Sequence, residues 1–156
     1  MAKIVADVMS PDPILVGPQM PIKEAIKILA EQRISGLPVV DDTGKLVGVI
    51  SETDLLWQET GVEPPVYIMF LDSVIYLENP ARYDQELHKA LGQTVGEVMS
   101  KEPPVTIKPD EPLRKAAKVM QEKSIRRLAV TNEAGKVIGI LTPGDIVRAM
   151  VAKIEG

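Results

Sequence analysis

The stretch Gly44-Lys-Leu-Val-Gly-Val-Ile-Ser-Glu-Thr-Asp54 returns later in the chain as Gly135-Lys-Val-Ile-Gly-Ile-Leu-Thr-Pro-Gly-Asp145. Both copies begin with Gly-Lys, carry a second glycine within an apolar run, and end in Ser/Thr-x-x-Asp. An offset of 91 residues, from Gly44 to Gly135, is too long for a solenoid repeat. The sequence therefore predicts one unit that occurs twice, with an insertion between the copies.

The residues around each copy predict the same secondary structure. Apolar residues follow Pro21 and Pro112 at i, i+3, i+4 and i+7 spacing, which predicts helices with proline at the first position. Asp41-Asp-Thr-Gly44 and Asn132-Glu-Ala-Gly135 separate β-rich runs and predict hairpins. The remaining predicted elements are short strands at 14–16 and 105–107 and helices that begin near Glu52 and Pro143. Each copy thus predicts a β-α-β-β-α unit.

The repeat also sets the predicted domain boundaries. Val8-Met9-Ser10 matches Val98-Met99-Ser100, which extends each copy toward its N-terminus. We expect repeat 1 at 1–56, an insertion at 57–93 and repeat 2 at 94–156. Since about 50 residues bury only a marginal core, the two α+β repeats should pack sheet to sheet with pseudo-twofold symmetry. Such packing would leave two equivalent clefts.

Composition argues against several functions. The chain has 156 residues, no cysteine, one histidine and a formal net charge of -4. The histidine, His88, is expected on the exposed face of a short helix, and HExxH, Walker A and GxGxxG motifs do not occur. No apolar run reaches the roughly 18 residues of a membrane span. We therefore expect no enzyme activity, catalytic residue, metal or required cofactor, no nucleic-acid or membrane partner, and a cytoplasmic location.

The repeated Ser/Thr-x-x-Asp motif has two interpretations. The hydroxyl residue and the aspartate match the N-cap and N3 positions of a capping box. A helix N-terminus also suits a phosphate, and a carboxylate can accept hydrogen bonds from both hydroxyls of a ribose. Gly48 and Gly139 would leave room for such a ligand beside the strand. The motif alone leaves both interpretations open.

Longer segments of both copies make the pattern more specific. Repeat 1 contains Ile34-Ser-Gly-Leu-Pro-Val-Val-Asp41, and repeat 2 contains Ile125-Arg-Arg-Leu-Ala-Val-Thr-Asn132. Together with the motifs above, Asp7-Val-Met9 and Glu97-Val-Met99, they resemble the cystathionine β-synthase (CBS) domain family, whose tandem pairs are called Bateman modules. The resemblance covers nearly the whole chain except about 57–93. It implies a regulatory module that binds AMP, ADP, ATP, S-adenosylmethionine or a related adenosyl ligand.

The resemblance also implies which residues bind. Asp54 and Asp145 would hold ribose, with Ser51 and Thr142 near ribose or phosphate. Each cleft would be completed by the other repeat, which groups Asp54 with Thr106, Arg126 and Arg127, and Asp145 with Val16, Ser35 and Gly36. Two arginines can bind phosphate oxygens bidentately, so the cleft at Asp54 is expected to be richer in phosphate contacts, although Glu52 adds a carboxylate there.

The resemblance also bears on partners. It implies a homodimer and a regulated protein partner in trans. The alternative is a structural or protein-interaction module whose clefts hold no ligand.

The insertion is expected to be mainly helical. All five aromatic residues lie there: Trp57, Tyr67, Phe70, Tyr76 and Tyr83. Residues 66–77 are strongly apolar, and 85–91 show a helical pattern. The insertion is either an extra helical layer or a surface for a partner or a second copy, since aromatic residues are enriched in interface cores.

Overall fold

The structure is a computed structural model that describes residues 3–61, 67–70, 73–76, 80–100 and 104–155, and within them the side chains outside 67–80 and 155. The elements follow in chain order: α1 (Val5–Val8), β1 (Ser10–Pro11), α2 (Ile22–Gln32), β2 (Gly36–Val40), β3 (Leu46–Ser51), α3 (Glu52–Thr60), β4 (Tyr67–Phe70), β5 (Ser73–Tyr76), α4 (Pro80–Leu91), α5 (Val95–Val98), β6 (Thr106–Ile107), α6 (Leu113–Lys123), β7 (Leu128–Thr131), β8 (Val137–Leu141) and α7 (Pro143–Glu155).

The predicted repeat is confirmed element by element. The series α2-β2-β3-α3 in the first copy returns as α6-β7-β8-α7 in the second. One detail of the prediction was wrong: Pro21 and Pro112 are N-caps with ψ of 137° and 142°, outside the first helical turn. Proline fixes φ alone, so it fits the extended N-cap as readily as the first helical position. Both helices end at a residue in the left-handed region, Arg33 and Ser124.

The short strands before these helices differ between the repeats. β6 is a strand, parallel to β7, whereas in the first repeat only Val16 forms a bridge, with Val39. Prolines at 13 and 18 flank this stretch and lack the N–H that a strand ladder needs. The strand predicted at 14–16 is therefore reduced to a single bridge.

The two hairpin turns explain why Asp or Asn begins each turn and Gly ends it. Oδ1 of Asp41 accepts hydrogen bonds from the backbone N–H groups two and four residues later, at 2.9 and 3.1 Å. Oδ1 of Asn132 does the same at 3.0 Å for both. Gly44 and Gly135 have φ of +89° and +81°, which glycine adopts at little cost.

The chain divides into two compact units. Unit 1 comprises Met1–Val16, Pro38–Gly48 and Glu102–Gly156, and unit 2 comprises Gly17–Leu37 and Val49–Lys101. In unit 1, β1, β8, β7 and β6 form a four-stranded sheet in that order. Its core consists of Val5, Ile107, Ala116, Met120, Leu128, Val130, Leu141 and Ile146. The sheet-to-sheet packing of the repeats remains a prediction.

The short leading helix of each repeat packs with the main helix of the other repeat. In unit 1, α1 contacts α6, Val5 is fully buried, and its N–H donates to the Glu111 carbonyl at 2.9 Å. In unit 2, α5 contacts α2, and the Val95 N–H donates to the Met20 carbonyl at 2.9 Å. The sequence pattern did not predict this exchange of leading segments.

The insertion contains the predicted helix and a hairpin that the sequence did not predict. α4 includes the helical pattern at 85–91, and the expected exposure of His88 is confirmed. β4 and β5 pair antiparallel from Tyr67 and Tyr76 to Phe70 and Ser73. The side chains of Tyr67, Phe70 and Tyr76, and those of the apolar run 66–77, lie outside the described residues; Trp57 and Tyr83 are half-buried.

Among the described residues, no helix is both long enough and apolar enough to cross a membrane.

Candidate functional site

The first Ser/Thr-x-x-Asp motif lies at the junction of β3 and α3. Ser51 ends the strand, adopts an extended N-cap conformation, and is followed by the helix from Glu52. Oδ2 of Asp54 accepts the Ser51 N–H at 2.9 Å and the Ser51 hydroxyl at 3.1 Å. The Asp54 side chain is only 13% exposed. A half-buried carboxylate therefore stands in the first turn of a nine-residue helix.

The second motif repeats this geometry at the junction of β8 and α7. Oδ2 of Asp145 accepts the Thr142 N–H at 2.9 Å, and the Asp145 N–H donates to the Thr142 hydroxyl at 3.3 Å. Asp145 is 8% exposed and is one of two buried polar or charged residues among those described. The capping interpretation is thus satisfied in both repeats.

The other carboxylate oxygen of each motif binds a cation. Lys89 Nζ lies 2.5 Å from Asp54 Oδ1, and Arg148 Nη2 lies 2.5 Å from Asp145 Oδ1. Sequence reasoning missed both cations. Arg148 follows Asp145 by three residues on the same helix, a spacing at which side chains meet, so this pair could have been found. Lys89 comes from α4, 35 residues after Asp54, and no local pattern indicates it.

The two repeats differ where the helix meets the first hairpin strand. In repeat 1 the Glu52 N–H donates to the Ser35 carbonyl at 3.0 Å, next to Gly36 at the start of β2. In repeat 2 the matching helix position is Pro143, which has no N–H, so Arg126 at the position of Ser35 cannot receive this bond. Ser35 and Arg126 are exposed, and Arg127 is half-buried.

The strand residues named as candidates have different environments. Val16 is 2% exposed, and its backbone N–H and carbonyl bond with the Pro38 carbonyl and the Val40 N–H. Its side chain belongs to the core, so a ligand could meet only its backbone. Thr106 is exposed on β6, where it pairs with Ala129.

Some of the candidate binding residues are in contact within one unit, whereas other predicted groupings would need residues from both units. Ser51 with Asp54, and Thr142 with Asp145, are in direct contact. Asp54 belongs to unit 2, whereas Thr106, Arg126 and Arg127 belong to unit 1. Asp145 and Val16 belong to unit 1, whereas Ser35 and Gly36 belong to unit 2. The cleft groupings across units therefore stay predictions.

The space expected beside Gly139 is filled. A Cβ at this position would lie against the Met9 side chain, with Cγ at 3.0 Å and the sulfur closer still. The expectation that Gly139 leaves room for a ligand was wrong, because the methionine of the leading motif occupies that room.

No group of three or more His, Cys, Asp or Glu that could hold a metal ion occurs among the residues whose side chains are described.

Comparisons with known proteins agree with this fold and motif pattern. The CBS domain family model matches residues 5–58 and 95–152. The "CBS domain-containing protein CBSX2, chloroplastic" of Arabidopsis thaliana is 36% identical over 149 residues, which cover 93% of this chain and 62% of that relative. An inosine-5'-monophosphate dehydrogenase of Aquifex aeolicus is 28% identical over 88% of this chain but only 22% of its own length.

Solved structures give the same result. The crystal structure of CBSX2 in complex with AMP has a TM-score of 0.78 and 32% identity, and the match covers 96% of this chain and 97% of that one. The CBS domain pair of protein MJ0100 in complex with 5'-methylthioadenosine and S-adenosyl-L-methionine has a TM-score of 0.70 and 29% identity, with coverage of 98% and 99%. This chain belongs to the CBS domain family and contains a tandem pair of CBS domains.

Proposed function

We propose that this chain is a regulatory module that binds an adenine nucleotide or a related adenosyl ligand at its two Ser/Thr-x-x-Asp motifs. The observation that carries the proposal is that both repeats place a largely buried carboxylate in the first turn of a helix, where it accepts the N-cap N–H. Two similar structures, one with AMP and one with methylthioadenosine and S-adenosylmethionine, support this class of ligand.

The motif offers complementary groups to a nucleoside. A carboxylate oxygen accepts hydrogen bonds from ribose hydroxyls, and hydrogen bonds to a charged group are worth roughly 1.5–3 kcal/mol. The N-terminus of α3 or α7 is the positive end of the helix dipole and favours a nearby phosphate. Arg126 and Arg127 are proposed to add phosphate contacts to the cleft of Asp54. Glu52, exposed at the start of α3, favours a ligand with few negative charges there.

A structural or protein-interaction module is the second candidate. The observation that favours it is that both aspartates already have partners for both oxygens within their own units. In that case the motifs would serve only to cap α3 and α7. The clefts would then hold no ligand.

We also propose that the chain is not itself an enzyme, requires no cofactor and acts from the cytoplasm on a protein partner in trans. The chain spans only part of some of its relatives, and the dehydrogenase shows that such a pair can also be part of an enzyme. A homodimer is the proposed assembly.

Calorimetric titration tests the ligand class. AMP, ADP, ATP and S-adenosylmethionine are titrated into the purified chain, with guanosine monophosphate as the control. At least one adenosyl ligand is expected to bind more tightly than the control. If none of them gives a binding heat at millimolar concentration, the result favours the structural or protein-interaction module whose clefts hold no ligand.

The phosphate contacts have their own test. Arg127→Ala is expected to weaken ATP more than AMP and to leave adenosine nearly unchanged, because guanidinium groups bind phosphate oxygens. Lys123→Ala, an exposed cation at the end of α6, is the matched control. Equal losses for adenosine and ATP would remove Arg127 from the phosphate site.

A further inference from the structure

We infer that Lys89 competes with the ligand for Asp54, so that binding at this motif is transmitted to the insertion as a release of α4. The inference rests on the proposed function, since it concerns the regulation of the same carboxylate.

Lys89 occupies the oxygen that a ligand would use. Asp54 Oδ2 already accepts both the N–H and the hydroxyl of Ser51. The remaining oxygen, Oδ1, lies 2.5 Å from Lys89 Nζ. A ribose hydroxyl that donates to Oδ1 therefore meets an ammonium group that donates to the same atom.

Lys89 is fixed at several points. Its ammonium also donates to the Val98 carbonyl at 3.1 Å, and its side chain is only 22% exposed. The side-chain amide of Gln58 in α3 binds the Lys89 carbonyl at 2.5 Å and the Gly92 carbonyl at 3.3 Å. The end of α4 is thus attached to α3 by a small set of polar contacts. Among the contacts described, only the ion pair between Lys89 and Asp54 involves the motif carboxylate.

The residues around Gly92, next to the contact between Lys89 and Asp54, are closely packed. Gly92 is buried, and a Cβ there would lie 2.5 Å from the His88 carbonyl oxygen and 2.7 Å from a Val98 methyl group. Lys89 precedes Gly92 by three residues and so belongs to this closely packed C-terminal turn of α4.

The second motif lacks this connection. Arg148 belongs to α7, the same helix as Asp145, and its side chain is 72% exposed. A ligand that displaces Arg148 moves one exposed side chain. The two motifs are therefore unequal: the Asp54 motif is coupled to a separate element, and the Asp145 motif is not.

The test measures affinity and backbone exchange together. In an Asp145→Asn background, which isolates the first motif, Lys89→Met is expected to tighten AMP binding about fivefold, equivalent to the roughly 1 kcal/mol of a partly exposed ion pair. AMP is expected to speed amide hydrogen exchange at 85–91 in the chain that retains Lys89 and to have no further effect in Lys89→Met.

Two variants serve as controls. Lys89→Arg keeps a cation at this position and is expected to bind AMP about as the lysine form does, which separates charge from any loss of folding. Arg148→Met, made in a chain that keeps both aspartates, is expected to show the same exchange at 85–91 as the unmodified chain, including the same increase on addition of AMP.

The outcomes separate this inference from the proposed function. If AMP binds but Lys89→Met leaves affinity unchanged or lower, and exchange in α4 does not respond, the coupling is overturned and ligand binding stands. If AMP, ATP and S-adenosylmethionine fail to bind the chain with all its native residues, the proposed function fails and the coupling fails with it.

Discussion

The contact between Met9 and Gly139 shows how one residue pair joins two sequence motifs. Met9 follows α1 at the start of the chain, and Gly139 lies within β8 of the second repeat. β1 pairs with β8 so that Pro11 is opposite Gly139, which brings the methionine over the glycine. The glycine is needed here for packing, because any larger residue would overlap the thioether.

Gly139→Ala should therefore destabilise unit 1. The added methyl group overpacks a filled site, which typically costs about 1–3 kcal/mol of the free energy of unfolding. Gly144→Ala is the matched control, because its nearest neighbour is the flexible end of Arg148 at 3.3 Å and alanine favours the helix. Urea unfolding measures both. Equal stability of Gly139→Ala and the unmodified chain would contradict the packing described.

At this scale the sequence predicted the contacts within the two Ser/Thr-x-x-Asp motifs and missed the cations that bind their carboxylates. Ser51, Asp54, Thr142 and Asp145 were predictable because their chemistry repeats at fixed spacing. The pairing of Asp54 with Lys89 was not, because the tertiary structure alone brings α4 beside α3. Val16 was named from the resemblance to the CBS family, although its apolar side chain favours the core that it occupies.

Among the elements, the first hairpin turn lowers the pKa of the carboxylate that begins it, Asp41. The Thr43 hydroxyl and the Lys45 N–H, both bound to Oδ1, lower the pKa of Asp41 below its ordinary value. A lowered folded-state pKa adds stability above the ordinary value of about 3.9, and this contribution is lost as the pH falls through the folded pKa.

Asp41→Asn should remove this pH dependence while keeping the turn, because Asn132 holds the matching turn in repeat 2. The variant should be less stable than the parent chain at pH 6, and the difference should shrink below about pH 4. Thermal unfolding across this range measures it, with the exposed neighbour Asp42→Asn as control. A difference that stays constant down to pH 3 would be evidence against the shift.

The regular elements of both repeats were largely predictable, since apolar periodicity and turn residues act locally. The leading helices α1 and α5 were not, because four residues carry too little periodicity and their packing partners lie in the other repeat. The hairpin β4-β5 lies in an apolar run, where periodicity alone does not distinguish strand from helix.

On the scale of the whole molecule, α7 presents an apolar face to solvent. Val147, Met150, Val151 and Ile154 are 59%, 52%, 47% and 83% exposed. A groove of about 560 Å³ between α6 and α7 continues this face, with Leu113, Ala117 and Met150 among its lining. Lys3, Arg114 and Lys153 also line the groove. An exposed apolar helix face is typical of interaction sites, and it supports the proposed homodimer.

Light scattering at micromolar concentration should therefore show a dimer. Val151→Glu should shift it toward a monomer, because an unpaired charge would be buried in the interface. Ile14→Glu, at a residue 40% exposed in a loop of the first repeat, is the control and should leave the mass unchanged. If the unmodified chain is a monomer at this concentration, the proposed homodimer is wrong.

The most direct test of the central claim asks whether Asp54 and Asp145 bind ligand or only cap helices. Asp7 supplies the matched control, because it caps α1 with the same geometry, at 3.0 Å from the Ile4 N–H, and is no part of the predicted clefts. Calorimetric titration with AMP compares Asp54→Asn, Asp145→Asn and Asp7→Asn with the unmodified chain. Each of the first two should weaken binding in its own cleft by about tenfold or more, since a charge-assisted acceptor is lost. Asp7→Asn should leave affinity unchanged. If both motif variants bind AMP as tightly as the unmodified chain, the aspartates are caps and the proposed sites are wrong.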